Sequence, residues 1–276
     1  MGVDPKLISF EATQKMKQQL AQLVEAKGGK RVELKAVDEN LVDAIWEDRP
    51  PIALQPVYHL AEQFSGRSTT DKLRWLRELM AAKGYSGMIV SALDEIACTT
   101  LPHLSIGLFN LRGSDIPFNP VFFAYALVTA DQCTLFVESG ERVECEKAVQ
   151  YELAGYGDIF GRLVAMKNSA SSTANGKLLI TPSCNWALVE AIGADRVTVK
   201  PSPIEAEKAV KNATELSGFA ECHRRDGAAL CNYFGWLEAE VAKGAQLNEV
   251  DGADRLEAFR RAFPECRGLS FDTISG

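Results

Sequence analysis

The sequence predicts an α/β fold, a mixed sheet flanked by helices, with further helices after it. Three observations predict it. Between His59 and Lys200, short apolar runs alternate with segments of helical period, the pattern of strands covered by crossover helices. Two of those runs are separated only by TADQ, residues 129–132, which adds an antiparallel hairpin to the sheet. Prolines punctuate both ends of the unit, Pro50, Pro51 and Pro56 before it and Pro201 and Pro203 after it. Proline removes a backbone donor and drives the preceding residue out of the helical region.

Three segments follow from that punctuation: 1–49, 50–203 and 204–276. In the first, GVDPKLIS is extended and FEATQKMKQQLAQLVEAKGG is helical, with Met16, Leu20, Leu23 and Val24 at helical spacing and Gly28 past the end. KRVELKAV is a short strand, and NLVDAIW is a helical turn begun by Asn40, a good N-cap type. This segment is short for an independent domain. In the second, STTDKLRWLRELMAAKG is a helix with a Ser68/Asp71 capping-box pattern, Leu73, Leu76 and Met80 on one face, and Gly84 closing it. GMIVSA is a buried strand, LDEIA starts a helix, and VFFAYALVTADQCTLFVESGERV is the hairpin. Residues 141–153 are expected to be helical and GYGDIFG to be a loop. KLLITP, NWALVEAIG and RVTVKP are strand, helix and strand, with Gly193 ending the helix.

The third segment begins with a short helix and continues into the longest element, residues 214–243. There Leu216, Ala220, His223, Gly227, Leu230, Phe234, Leu237 and Val241 recur at alternating fours and threes. That is a continuous apolar stripe that needs a partner. A further helix spans 249–262, and LSFDTIS opens a strand with nothing to pair against. The stripe and the lone strand predict that residues from about 213 onward are either disordered or buried by self-association.

Composition bounds the function. With 46% hydrophobic and 24% charged residues over 276 positions, the chain can bury sizeable cores. A net charge of −7 argues against a nucleic-acid partner, which needs a basic face. Seven scattered cysteines without a CxxC pair read as reduced, buried residues of a cytoplasmic protein. The N-terminus has no apolar core of a signal peptide, Lys6 stands where a myristoylation signal needs Ser or Thr, and no apolar run is long enough for a membrane helix, so no membrane partner is expected.

Catalytic constellations are sparse. Of three histidines, His59 ends the proline-rich linker and reads as solvated or structural, His103 lies in CTTLPHLSIGL (residues 98–108), and His223 reads as a core residue on the stripe. Cys222 beside it faces elsewhere, since neighbouring helix positions diverge by about 100°. No zinc-binding spacing, phosphate loop or nucleophile elbow occurs. Asp94–Glu95 and Glu205/Glu207 read as helix N-terminal charge. No catalytic, metal-binding or substrate-binding residue is assigned.

At LDEIA and FNLRGSDIPFNPVFFAYA the sequence closely resembles the cytosolic eukaryotic Xaa-Pro aminopeptidases. GVDPKLIS, ENLVDAIWEDRP, KAVKNATEL, DGAALCNYFGWLEAEV and LSFDTISG agree in order, so the resemblance covers nearly the whole chain. It implies two creatinase N-terminal-type domains followed by a pita-bread catalytic domain. That domain holds two divalent metals, usually manganese, on two Asp, one His and two Glu, and acts on proline-containing peptides. It also implies that 1–49 is the remnant of the first domain, 50–203 the complete middle domain, and 204–276 the truncated start of the catalytic domain. The metal ligands would then lie beyond Gly276, and no metal is expected to bind this chain. Against the family pattern, residues 98–108 stand where two residues are expected and read as an interruption, an exposed loop whose Pro102 and Gly107 cannot continue a helix. Three readings stay open: an aminopeptidase by descent, inactive as it stands; a non-catalytic dimerisation or binding module; and an incomplete gene product.

Overall fold

A six-stranded mixed sheet carries the fold of this computed structural model, which describes residues 1–27, 32–52, 54–97, 107–144, 151–169 and 176–274. In chain order the elements begin with β1 (Gly2–Val3), α1 (Phe10–Lys27), β2 (Lys35–Ala36), β3 (Tyr58–His59), α2 (Glu62–Ser65), α3 (Thr69–Ala82), β4 (Gly87–Val90), α4 (Leu93–Ile96) and β5 (Leu111–Arg112). They continue with β6 (Ala124–Thr129), β7 (Cys133–Val137), β8 (Glu152–Gly155), α5 (Asp158–Asn168), β9 (Leu178–Ile180), α6 (Trp186–Ile192), β10 (Val197–Val199), α7 (Pro203–Ala209), α8 (Ala213–Ala242) and α9 (Glu249–Arg261). Strand order in the sheet is β10-β9-β4-β6-β7-β8. The β4–β6 and β6–β7 pairs are antiparallel, and the β10–β9, β9–β4 and β7–β8 pairs are parallel.

Both faces of this sheet are covered, which is why its central strands read as unbroken apolar runs. Successive residues point to opposite faces, so Met88 and Val90 join one core with Leu73, Leu76 and Met80 of α3, while Ile89 joins the other with Ile159 and Leu163 of α5 and Leu188, Val189 and Ile192 of α6. At the start of α3, the Asp71 backbone N–H donates to Ser68 Oγ at 3.1 Å. The Ser68 hydroxyl donates in turn to the Asp71 carboxylate at 2.7 Å, so the box closes between side chains. Asn185 caps α6 as the strand-to-helix pattern requires, accepting from the Leu188 N–H at 3.0 Å. Residues 1–10 lie against that cap: the Phe10 N–H donates to Cys184 O and the Trp186 N–H to Ile8 O.

Several expectations need correction. Residues 141–153 do not form one helix. Gly140–Arg142 make a single 3₁₀ turn, residues 145–150 lie outside the described residues, and Glu152 and Leu153 belong to β8, paired with β7. GYGDIFG is not a loop but the entry to α5; the Asp158 carboxylate accepts from the Gly155 N–H at 2.9 Å, and Ile159 and Leu163 form the buried face. The helical turn expected at Asn40 is present, by contrast: the Ala44 N–H donates to Asn40 O and the Trp46 N–H to Val42 O, both at 3.1 Å, and Asn40 Oδ1 accepts from the Val42 N–H. Residues 268–274 form no strand, for a lone strand has no ladder to join. The expected exposed loop at 98–108 falls mostly outside the described residues, but Gly107 and Leu108 at its end are buried.

The terminal helices are formed. Asn212 and Glu215 make a reciprocal capping box on α8, and Asn248 and Asp251 make one on α9. The two helices close on each other as a hairpin. Arg260 reaches Asp226 at 2.6 Å, Arg225 reaches Glu265 at 3.3 Å, and Arg255 lies 4.5 Å from the Phe259 ring and 5.6 Å from that of Trp236. The face used is therefore offset from the predicted stripe, of which Leu216, Phe234 and Val241 stay exposed.

Candidate functional site

Polar side chains concentrate where NLRGSDIPFNP meets the linker before it. β5 pairs antiparallel with β3, which draws the end of the linker onto this segment. Asn110 sits in the left-handed region, φ 51°, and is buried. Its Nδ2 donates to Arg67 O at 2.9 Å, and its Oδ1 accepts from Lys72 Nζ, which also donates to Gly107 O at 2.9 Å. Gly113 permits a close approach, since a Cβ there would stand 2.7 Å from that of Phe122.

Asp115 is the centre of the segment. Arg142 holds both its oxygens, at 2.7 and 2.8 Å, and the backbone N–H groups of Phe123 and Gln55 donate to it at 3.0 and 3.2 Å. Burial pushes the carboxyl up, but the hydrogen bonds from Arg142 and the two amides outweigh it and hold the group below its ordinary value. Every contact is a cross-brace between linker, segment and hairpin end. A carboxylate whose lone pairs are committed in this way positions backbone and has nothing left for a substrate.

A second polar cluster joins α4 to α7. Lys208 Nζ donates to Asp94 O at 2.7 Å and to Asp94 Oδ2 at 2.8 Å. The Ser202 hydroxyl bonds Glu95, a residue only 4% exposed, whose Oε2 is buried without a partner among the described residues. Burial, opposed by Ser202 and Lys208 and reinforced by Asp94 and Glu205, pushes the Glu95 carboxyl up to about 7.

The residues singled out in the sequence do not converge. His59 lies in β3, in keeping with a structural role, and His103 lies outside the described residues. His223 is exposed on α8 and not in a core, because α9 takes the neighbouring face. Cys222 and Cys231 are exposed as well, whereas Cys133 and Cys184 are buried, with thiols that burial pushes up to about 12. Asp94 and Glu95 do lie in the first turn of α4, but Asp94 is ion-paired and Glu95 is buried, so neither is simply solvated helix charge. Glu207 pairs with Arg67 at 2.8 Å. Sequence reading missed Lys72, Glu95, Asp115, Arg142 and Lys208 as organising residues. Lys72 gave one signal, a cation next to Leu73 on the apolar face of α3.

Among the described residues no group of three or more His, Cys, Asp or Glu side chains could hold a metal ion. No helix among them is long and apolar enough to cross a membrane.

Known proteins match over the full chain. The model of the Creatinase/Prolidase N-terminal domain matches residues 48–215. A probable Xaa-Pro aminopeptidase P of Leptosphaeria maculans is 44% identical over 100% of this chain and 44% of its own length. That of Sordaria macrospora is 43% identical over the same shares. The crystal structure of X-prolyl aminopeptidase from Caenorhabditis elegans, a cytosolic enzyme with a di-nuclear active site, superposes with a TM-score of 0.87 at 30% identity, covering 100% of this chain and 43% of that one. The chain thus spans less than half the length of the relatives it matches.

Proposed function

We propose a function from one premise: the chain belongs to the Creatinase/Prolidase N-terminal domain family. It is the non-catalytic part of an Xaa-Pro aminopeptidase, an enzyme that removes an N-terminal residue preceding proline. Its role is to shape the peptide entrance and the assembly contacts of that enzyme in the cytoplasm. The observation that supports this is a match along the whole of this chain, in sequence and in backbone, to under half the length of relatives bearing that name. Within the chain, 1–49 closes a first domain, 50–203 is the middle domain, and 204–276 begins the catalytic one.

Two divalent ions, manganese by resemblance, would serve the whole enzyme. The described residues do not fit them: the carboxylates of Asp115 and Asp94 are held by Arg142 and Lys208, and Glu95 is enclosed beside a serine. A metal site needs several converging donors to fix its geometry. The chain as it stands is therefore inactive in this reading. A second reading, a module that self-associates, is favoured by the exposed apolar side chains of α8.

The test is cleavage of an Arg-Pro-Pro peptide by the purified chain with manganese, zinc or cobalt. No cleavage is expected, and metal-dependent cleavage overturns the non-catalytic assignment. A fusion to the remaining portion of the Leptosphaeria maculans relative should cleave the peptide; a folded, metal-loaded fusion without activity overturns the aminopeptidase assignment.

A further inference from the structure

The sheet domain meets the helices that follow it in two places: α2 lies against the start of α8, where Asn212 donates to Ser65 O at 3.0 Å, and α4 lies against α7. α7 leads directly into α8, with only residues 210–212 between them. Ile204 of α7 is buried in the core with Leu73 and Leu76, and Ser202 caps α7 by accepting from the Ile204 and Glu205 N–H groups at 3.2 and 3.4 Å. That same hydroxyl is the hydrogen-bond partner of Glu95. One serine thus ties the start of α7 to α4, and the Lys208–Asp94 pair ties its last turn to the same short helix.

The geometry leaves Glu95 with an unbalanced position. Among the described residues its Oε2 is buried with no hydrogen-bond partner, while the nearby cation, Lys208, donates to Asp94. Asp94 on its own helix and Glu205 on α7 add negative charge. Elsewhere around the site, Lys72 of α3 is engaged by Gly107 and Asn110, β5 places Arg112 one residue past the Ala97–Leu111 bridge, and β6 offers only Tyr125, which belongs to the opposite core. A neutral carboxylic acid suits this pocket and a carboxylate does not.

We propose that Glu95, Ser202 and the Asp94–Lys208 pair form a proton-operated latch: it holds α7 against the sheet domain when Glu95 is protonated, and loosens when Glu95 ionises. This is a property of the chain itself and does not rest on the aminopeptidase reading. Opening α7 wets the Glu95 carboxyl, returning it toward its ordinary value of 4.5 from about 7. A group that holds its proton more tightly in the closed state makes closure weaken as pH rises between those two values. From pH 6 to pH 8 the closed-to-open ratio falls by about tenfold, as linkage between those two values requires.

The test is amide hydrogen exchange on the full chain at pH 6 and pH 8, expressed as protection factors so that the intrinsic pH dependence cancels. Amides of residues 204–209 should lose about tenfold in protection, while those of β6 and β7 change little. In Glu95→Gln the loss should vanish. An equal loss in Glu95→Gln, no loss in the unaltered chain, or a parallel loss across β6 and β7 would overturn the latch. Should Glu95→Gln fail to fold, carbon-13 titration of the Glu95 carboxyl in the unaltered chain decides. A midpoint near 7 supports the proposal and one near 4.5 defeats it.

Discussion

Helix α3 presents Leu73, Leu76 and Met80 to the sheet, and all three are at most 3% exposed; α8 presents Leu216, Phe234 and Val241, and all three are at least 56% exposed. Both helices have the periodic apolar face that makes a helix legible in sequence. The difference lies in what surrounds them. α3 is one layer of a sheet covered on both sides, and it is pinned by long-range contacts such as Arg77 Nε to Thr129 O at 3.0 Å. α8 touches the body near its start, through Asn212 to Ser65 O at 3.0 Å, and beyond that its main neighbour among the described residues is α9, along one face. A periodic pattern therefore states which face wants burial, not whether this stretch of chain supplies the cover. Its consequence is energetic asymmetry: substitutions in the sheet domain should be costly and those on the stripe of α8 should not.

The largest effect is expected at the buried ion pair that braces the linker. Asp115→Ala leaves Arg142 buried without its partner, and it also strips the Phe123 and Gln55 amides of their acceptor. Breaking one partner of a buried pair costs about 3–5 kcal/mol. Urea denaturation followed by tryptophan fluorescence should show the midpoint fall accordingly. A change below about 1 kcal/mol would mean that the linker is not fastened here. Next comes Leu76→Ala, which empties a fully buried site at the α3–sheet contact and should cost about 3 kcal/mol. The matched change Leu216→Ala on α8 should cost under about 0.5 kcal/mol. Equal losses at the two leucines would remove the asymmetry altogether.

What was legible in the sequence follows the same line. β4, β6, β7, α3, α6 and the long helix could be read because each is a continuous run or a sustained period whose signal is local. α5 was missed although Ile159 and Leu163 sit four apart, because it opens among Gly155, Gly157 and Gly161, residues that argue for a loop. Residues 141–153 look helical by composition, yet β7 offers an open edge that claims Glu152–Gly155, a tertiary pairing overriding a local preference. The polar braces were invisible for a simpler reason. Arg67 meets Glu207 across 140 positions and Lys208 meets Asp94 across 114, and no spacing rule reaches that far. The α8 face lies one strip away from the face that α9 takes, because that face centres on Ala229 and on Tyr233 against Gly252, small or polar positions outside the apolar stripe.

Glu95→Gln asks whether the junction between the two regions is tuned by pH. The folded-state carboxyl stands at about 7, above an ordinary value of 4.5. Between those values the unfolded chain sheds the proton first, so the native state loses stability as pH rises, and the full penalty is present above about 7. The difference corresponds to up to about 3 kcal/mol. Glu95→Gln should therefore raise stability at pH 8 by up to that amount and leave it nearly unchanged at pH 4. A destabilisation at pH 8 would show that the carboxylate is favourably held, and the cluster would then belong with Asp115 as a permanent brace.

The smallest effect expected is the sharpest on the stripe. Phe234 is exposed on α8, and its ring is tilted against Tyr233 at 5.5 Å between centroids without being enclosed. In an isolated chain, Phe234→Ser should change stability by less than about 0.5 kcal/mol, as surface substitutions do. If copies of the chain instead bury this face against one another, the same substitution removes much of the apolar area of an interface. It would then lower stability by more than about 1.5 kcal/mol, in a manner that depends on protein concentration. Light scattering over a dilution series, run beside the melting curves, separates the two outcomes. A monomer with an unmoved melting temperature leaves the stripe as open surface in this chain. A dimer that Phe234→Ser dissolves would assign the cover of α8 to a second copy, and the contrast with α3 would become one of where the partner comes from.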